Sequence, residues 1–143
     1  MKKLGQIIFI DDDEVNNIIC ERISHKTLGT KENIFSFVYP EEGLEHIVTA
    51  SKIVDNDSQI LLFLDINMPL LNGWDVLDLI EEMEQSVKEK LIIIMLSSSI
   101  DPTDRAKAEN NKLVSEFIEK PLTANIIVQI MKNYNIPIPE NKI

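Results

Sequence analysis

The chain has 143 residues, of which 44% are hydrophobic, and this length and composition fit one domain with a substantial core. A formal charge of −10, from 24 acidic and 14 basic residues, argues against binding to nucleic acid or to a membrane of anionic lipid. The single cysteine, Cys20, excludes an internal disulfide and fits a reducing compartment.

The start of the chain does not resemble a signal peptide. The first apolar run is interrupted by three aspartates, so it predicts a strand and not a signal peptide. No apolar run approaches the roughly 18 residues of a membrane helix. We therefore expect a cytoplasmic protein, with Cys20 as a small packing residue and with His25 and His46 at the surface.

Apolar runs that predict strands alternate along the chain with stretches of helical periodicity. The predicted strands are residues 6–10, 33–38, 59–64, 90–96 and 114–119. Apolar residues spaced three and four apart predict helices after the first and third strands, and Pro40 begins the helix of residues 40–52. Asp101 and Thr123 are typical N-cap residues and predict where the last two helices begin.

Five strands that alternate with five helices predict an α/β fold. Right-handed crossovers then produce a doubly wound parallel sheet, with the flavodoxin-like strand order 2-1-3-4-5. We expect a single domain over residues 1–143, with its core at about 4–134 and a short tail at 135–143. In such a sheet, ligands bind at the carboxyl ends of the strands, where the strand order reverses between strands one and three.

Ionic and hydroxyl residues follow the predicted strands at this edge. Strand one ends in Asp11, Asp12 and Asp13, and strand three ends in Asp65. Strands four and five are followed by three serines, Ser97 to Ser99, and by Lys120-Pro121. Asp13 is more simply explained as part of an acidic helix start, which the helix dipole favours.

These residue types suit phosphoryl transfer to a carboxylate. Converging carboxylates repel one another, and a divalent cation with oxygen ligands, such as Mg²⁺, relieves that repulsion. A lysine and a serine hydroxyl can contact phosphoryl oxygens, and an aspartate can act as the nucleophile. Asp65 is the candidate acceptor because it stands alone and is followed by a turn that exposes it.

Four segments, "IDDDE", "FLDINMPLLNGW", "MLSSS" and "FIEKP", resemble the receiver domain of bacterial two-component response regulators. They occur in the family's order, each after the strand that should carry it, and the resemblance covers roughly residues 4 to 134. The single-domain, chemotaxis-like type is most similar, since no output domain follows.

The resemblance implies a role for each matching residue. Asp65 would be phosphorylated, Asp11 and Asp12 would hold Mg²⁺ together with Asp65 and the main-chain carbonyl of Asn67, and Lys120 would contact the phosphoryl group. Ser97 would be the switch hydroxyl and Phe117 the switch aromatic, and the Lys120-Pro121 bond would be cis. Phe117 replaces a frequent tyrosine, and Ser97 a frequent threonine. Asn67 and Ser99 occupy positions that tune the lifetime of the phosphoryl group.

The implied function is a phosphorelay switch. A histidine kinase or histidine phosphotransfer protein would phosphorylate Asp65, and the face of the fourth helix, fifth strand and fifth helix would change to control an unknown downstream protein. The resemblance implies that the protein is not an enzyme. It also implies either a monomer or a dimer that forms on phosphorylation.

Three other functions compete with this switch. The alternative is an interaction module that works without phosphorylation, although such modules usually lack an acidic residue or the lysine. Enzymes of related chemistry fit less well, because an aspartyl-phosphate phosphatase usually needs an acid at position 67, which is Asn. A flavin carrier needs a phosphate loop where this chain has "DDDE".

Overall fold

A computed structural model of the chain describes residues 2–98 and 101–138, which form a five-stranded parallel sheet. The strands are β1 (Lys3–Ile10), β2 (Ile34–Phe37), β3 (Ser58–Leu64), β4 (Leu91–Ser97) and β5 (Val114–Glu119). The helices are α1 (Glu14–Leu28), α2 (Pro40–Ile53), α3 (Gly73–Glu81), α4 (Gln85–Lys88), α5 (Pro102–Glu109) and α6 (Ala124–Asn133). None of these helices combines the length and apolar character that crossing a bilayer requires.

The sheet has the order β2-β1-β3-β4-β5, which confirms the predicted doubly wound topology. All seven residues of β3 are buried, as expected of a central strand covered on both faces. One apolar cluster includes Ile47, Leu77 and Ile80 of α2 and α3. The other cluster includes Cys20 of α1 and Ile130 of α6, so helices cover both faces of the sheet.

Two elements differ from the sequence prediction. The structure contains α4, a four-residue helix that was not predicted because its one buried apolar residue, Val87, creates no periodic pattern. Strand β1 begins at Lys3 and not at residue 6, because Lys3 pairs with Ser58 and its ammonium lies 3.1 Å from Asp55. Lys3 and Gly5 interrupt the apolar pattern at the start of the strand, and the pairing with β3 shifts register between Leu4 and Gln6.

The helix starts follow the predicted chemistry. Asp101 and Thr123 accept hydrogen bonds from the first turns of α5 and α6. Asp13 does the same for α1, accepting from the N–H groups of Val15 and Asn16. The simpler explanation of Asp13 is therefore confirmed, and its side chain is engaged at the helix start.

The two predictions for isolated residues had different outcomes. Cys20 is 1% exposed, and burial raises the pKa of its thiol to about 11, which confirms a packing role. His25 is exposed, as expected. His46 is not: it is half-buried, with Nε2 2.8 Å from Oε1 of Gln6 and its ring against Phe35 and Phe37. The prediction for His46 was wrong because the aromatic residues of β2 cover it.

Candidate functional site

The register of the sheet brings the first and third strands' acidic residues together. Ile10 pairs with Leu64 at the ends of β1 and β3, so Asp11 and Asp65 follow side by side. The backbone N–H of Asp65 donates to the carbonyl of Ile10 at 3.0 Å, which holds the two chain exits in place. This is the edge where the strand order reverses, and where the sequence predicted a site.

Three carboxylates form a cluster at this edge. One oxygen from each of Asp11, Asp12 and Asp65 lies within 4.8 Å of the other two. Asp11 and Asp65 are 4% and 6% exposed, whereas Asp12 faces solvent. Two buried carboxylates therefore lie beside a third that faces solvent, and together they could hold a metal ion.

Lys120 is the positive charge that faces this cluster. Its Nζ lies 2.8 Å from Oδ2 of Asp11 and 3.5 Å from Oδ1 of Asp65, so its closer partner is Asp11. Burial opposes the charged form of Lys120, but the hydrogen bond and charges of the two aspartates outweigh that cost, and the pKa lies above its ordinary value. The Lys120-Pro121 peptide bond is cis, as predicted.

The environment of Asp65 disfavours its charged form. Burial, and then the negative charge of Asp11, raise the pKa of this carboxyl from 3.8 to about 6, although Lys120 partly offsets both effects. Without a bound cation, the positive charge of Lys120 therefore does not fully offset burial and the negative charges of the neighbouring aspartates. A bound cation is what would restore the ordinary preference of Asp65 for its ionised form.

The turn after Asp65 was expected to expose this carboxylate, but Asp65 is only 6% exposed, because the loop folds back against the strand end. Gly73 begins α3, and its N–H donates to the carbonyl of Ile66 at 2.8 Å, which folds the loop back against the strand end. A Cβ at Gly73 would lie 2.5 Å from the carbonyl oxygen of Asp65, so only glycine permits this approach. Asn72 and Asp75 form a reciprocal capping box that fixes the start of α3.

Ser97 and Phe117 occupy the adjacent strands. Ser97 ends β4, is fully buried, and accepts a hydrogen bond through its carbonyl from the N–H of Lys120 at 2.9 Å. Phe117 pairs with Met95 and is half-buried against the core, with the guanidinium of Arg105 4.7 Å from its ring centroid. Ser99 lies outside the described residues, and Asn67 is exposed in the loop after Asp65.

Two asparagines of the site were not predicted. Nδ2 of Asn16 donates to Oδ2 of Asp11 at 2.9 Å, and Nδ2 of Asn17 donates to the carbonyl of Asp11 at 2.9 Å. Both lie about one helical turn after Asp13, and this spacing was the sequence feature that could have identified them. Asn17 is 3% exposed, and a buried amide on a helix in that position indicates a hydrogen bond to the preceding loop.

The fold and the site together define a receiver domain. A family model described as "Response regulator receiver domain" matches residues 7–132, and the chain belongs to this family. Its structure resembles that of a two-component response regulator from Cytophaga hutchinsonii, with 33% identity and a TM-score of 0.78. That match covers 92% of this chain and 97% of the other.

Curated relatives match through one part of their length. Hybrid signal transduction histidine kinase L of Dictyostelium discoideum is 28% identical over 134 residues, which is 93% of this chain and 7% of that protein. Sensory/regulatory protein RpfC of Xanthomonas campestris is 27% identical, over 83% of this chain and 15% of the relative. The chain therefore spans a small fraction of the length of these relatives.

Proposed function

We propose that the protein is a phosphoacceptor switch of a phosphorelay, in which Asp65 receives a phosphoryl group from a phosphohistidine. The observation that carries this proposal is the meeting of three carboxylate oxygens within 4.8 Å, with the ammonium of Lys120 beside two of them. A family whose members accept phosphoryl groups supports the same function.

The transfer uses Asp65 as nucleophile. A carboxylate oxygen of Asp65 attacks phosphorus, the P–N bond to the donor histidine breaks, and its electron pair returns to the imidazole nitrogen. The product is an acyl phosphate on Asp65. Lys120 lies 3.5 Å from Oδ1 of Asp65, so its ammonium is positioned to meet the charge on the phosphoryl oxygens.

The acidic cluster fits Mg²⁺. Its donors are all oxygens, the class of ligand that this hard cation prefers, and the exposed Asp12 leaves an opening for water ligands. Asp11, Asp12, Asp65 and the main-chain carbonyl of Asn67 would hold the ion. Bound Mg²⁺ would supply charge neutralisation at the phosphoryl oxygens.

We propose that phosphorylation changes the surface of α5, β5 and α6 through Ser97 and Lys120. Helices α5 and α6 are the fourth and fifth helices of the sequence prediction, because α4 was not predicted. Ser97 ends β4 and Lys120 directly follows β5. The N–H of Lys120 donates to the carbonyl of Ser97 at 2.9 Å, so a movement of one residue would move the other. Phe117 lies between the core and Arg105 of α5. New charge at Asp65 would draw the Ser97 hydroxyl and Lys120 inward and change this face.

The proposed partners are a histidine kinase or histidine phosphotransfer protein and a downstream protein. Relatives described as hybrid signal transduction histidine kinases support the first of these. We propose that residues 1–143 act as one receiver domain in the cytoplasm, with no enzymatic activity towards other molecules. We propose a monomer, or a dimer linked to phosphorylation.

The test is uptake of radiolabelled phosphate from acetyl phosphate, with Mg²⁺ or with EDTA. Wild type should take up label only with Mg²⁺, and Asp65→Asn should take up none. Asp78→Asn is the matched control, because Asp78 is an exposed aspartate on α3 outside the cluster. Equal labelling of wild type and Asp65→Asn would refute the assignment of Asp65. No labelling of wild type would favour the interaction module that works without phosphorylation.

A further inference from the structure

Leu70, in the loop between Asp65 and α3, is the most exposed large hydrophobic side chain among the described residues, at 101%. Its φ is +68°, in the left-handed region that a leucine rarely adopts. The N–H of Leu71 donates to the carbonyl of Pro69 at 2.7 Å, closing a three-residue γ-turn centred on Leu70. Such a turn with positive φ is strained, and glycine or asparagine would adopt it at lower cost.

Leu70 forms part of the wall of a cleft of about 390 Å³. Val38, Tyr39, Met68 and Leu71 contribute apolar surface to the same cleft, and Tyr39 is itself 62% exposed. In the isolated protein, neither the strained backbone of Leu70 nor the exposure of Leu70 and Tyr39 contributes to stability. Both residues suit a surface that another protein covers.

The cleft adjoins the phosphorylation site. Asp12 lines it, and a carboxylate oxygen of Asp12 lies within 4.8 Å of one from Asp65. A histidine that transfers its phosphoryl group must come into contact with the oxygens of Asp65. The protein that carries that histidine would therefore cover the surface between Asp65 and Leu70.

The charge of the cleft also selects the occupant. Asp12, Glu14 and Glu41 line the cleft, and none of the residues that line it is a lysine or arginine. A second copy of this chain would bring the same carboxylates and a net charge of −10. A partner with an apolar recess bordered by lysine or arginine is complementary to this surface.

We propose that Leu70 is an anchor residue for the protein phosphodonor: its side chain enters an apolar recess on the donor, while basic donor residues face Asp12, Glu14 and Glu41. This inference rests on the proposed function, since it names the surface through which the donor reaches Asp65. During transfer the donor covers the side chain of Leu70, which is exposed in the protein alone.

The experiment compares two donors on three variants. The protein donor is the phosphorylated histidine kinase, encoded in the same genome, that transfers fastest to wild type, and the small donor is acetyl phosphate with Mg²⁺. Leu70→Asn removes the apolar side chain but accepts the turn, and Leu70→Met keeps the apolar character. Ile53→Asn is the matched control, because Ile53 is 69% exposed at the end of α2 and lines a cleft with Lys3 and Gly5, away from Asp65.

Leu70→Asn should raise the KM for the phosphorylated kinase about tenfold, with little change in kcat, since loss of an anchor weakens docking. The rate from the kinase relative to the rate from acetyl phosphate should fall by a similar factor. Leu70→Met should restore most of the lost affinity, and Ile53→Asn should behave as wild type. Relief of strain should also raise the Tm of Leu70→Asn by about 2–4 °C.

Several results would overturn the anchor role. An unchanged KM for Leu70→Asn would do so, as would an equal loss with both donors, which would place Leu70 in the reaction itself. A Leu70-dependent dimer in sedimentation would show that a second copy is the occupant. A wild type that accepts phosphate from neither donor would refute the proposed function and this inference with it, whereas the first three results leave the proposed function intact.

Discussion

Replacing Asp65 by asparagine should stabilise the metal-free protein at neutral pH. The native state holds the pKa of Asp65 at about 6, above the ordinary 3.8 of an aspartate. Between these two values the native protein keeps a proton that the unfolded chain has lost, so stability falls as pH rises through this window. Above pH 6 the full penalty of the buried charge is present, and asparagine removes it.

The size of the effect follows from the same two values. At about 1.4 kcal/mol per pH unit, the difference between 3.8 and about 6 corresponds to an upper bound of about 3 kcal/mol. Asp12 of the cluster faces solvent, and screening by water at that side reduces the expected gain to about 1–2 kcal/mol. Lys120 keeps its closer partner, Asp11 at 2.8 Å, so the substitution leaves no isolated ammonium.

The assay is urea unfolding followed by circular dichroism, in EDTA, at pH 7 and pH 4. Asp65→Asn should be more stable than wild type at pH 7, and most of the difference should vanish at pH 4. Mg²⁺ at 100 times its Kd should then stabilise wild type by about 2.7 kcal/mol and the variant by much less. A variant that is no more stable at pH 7, or equally favoured at both pH values, would refute the electrostatic reasoning.

Three further predictions test the packing around the site and in the core. Lys120→Met should lower the free energy of unfolding in EDTA by about 1–3 kcal/mol at pH 7, because Asp11 loses its buried cation; an unchanged urea midpoint would contradict this. Gly73→Ala should lower the free energy of unfolding by about 2–3 kcal/mol, since its Cβ would meet backbone atoms. Gly43→Ala should lower it less, since the obstacle there is the flexible end of the Ile10 side chain. Comparison of the two urea midpoints tests this order, and a larger loss for Gly43→Ala would contradict the packing argument. The thiol of Cys20 should react with Ellman's reagent only as the protein unfolds, because it is 1% exposed and burial raises its pKa to about 11; full reaction of the native protein within minutes would show otherwise.

Much of this molecule can be predicted from its local sequence patterns. Near-continuous apolar runs such as residues 59–64 predict strands buried on both faces, and β3 is buried along its whole length. Alternation with helices then predicts a parallel sheet and the edge at which Asp11 and Asp65 meet. Asp101 and Thr123 predict helix starts because capping depends only on the next three residues.

The remaining features depend on contacts between distant parts of the chain. The unequal sharing of Lys120, at 2.8 Å from Asp11 and 3.5 Å from Asp65, is set by sheet register and loop packing. The cover of aromatic rings over His46 and the pairing of Lys3 with Ser58 are likewise long-range. The left-handed backbone of Leu70 follows from a loop held at both ends, by the buried Asp65 and by Gly73 against Ile66.

The sequence by itself therefore determined the architecture, the edge that carries the site and the acidic, basic and hydroxyl residues gathered there. Those properties follow from periodicity and residue chemistry, which act over a few neighbouring residues. Only the tertiary structure decided the distances between the charged groups, the pKa of Asp65 and the exposure of Leu70. These quantities depend on burial and on Coulomb interactions across the fold, and both exist only once residues as far apart as Asp11 and Lys120 are in contact.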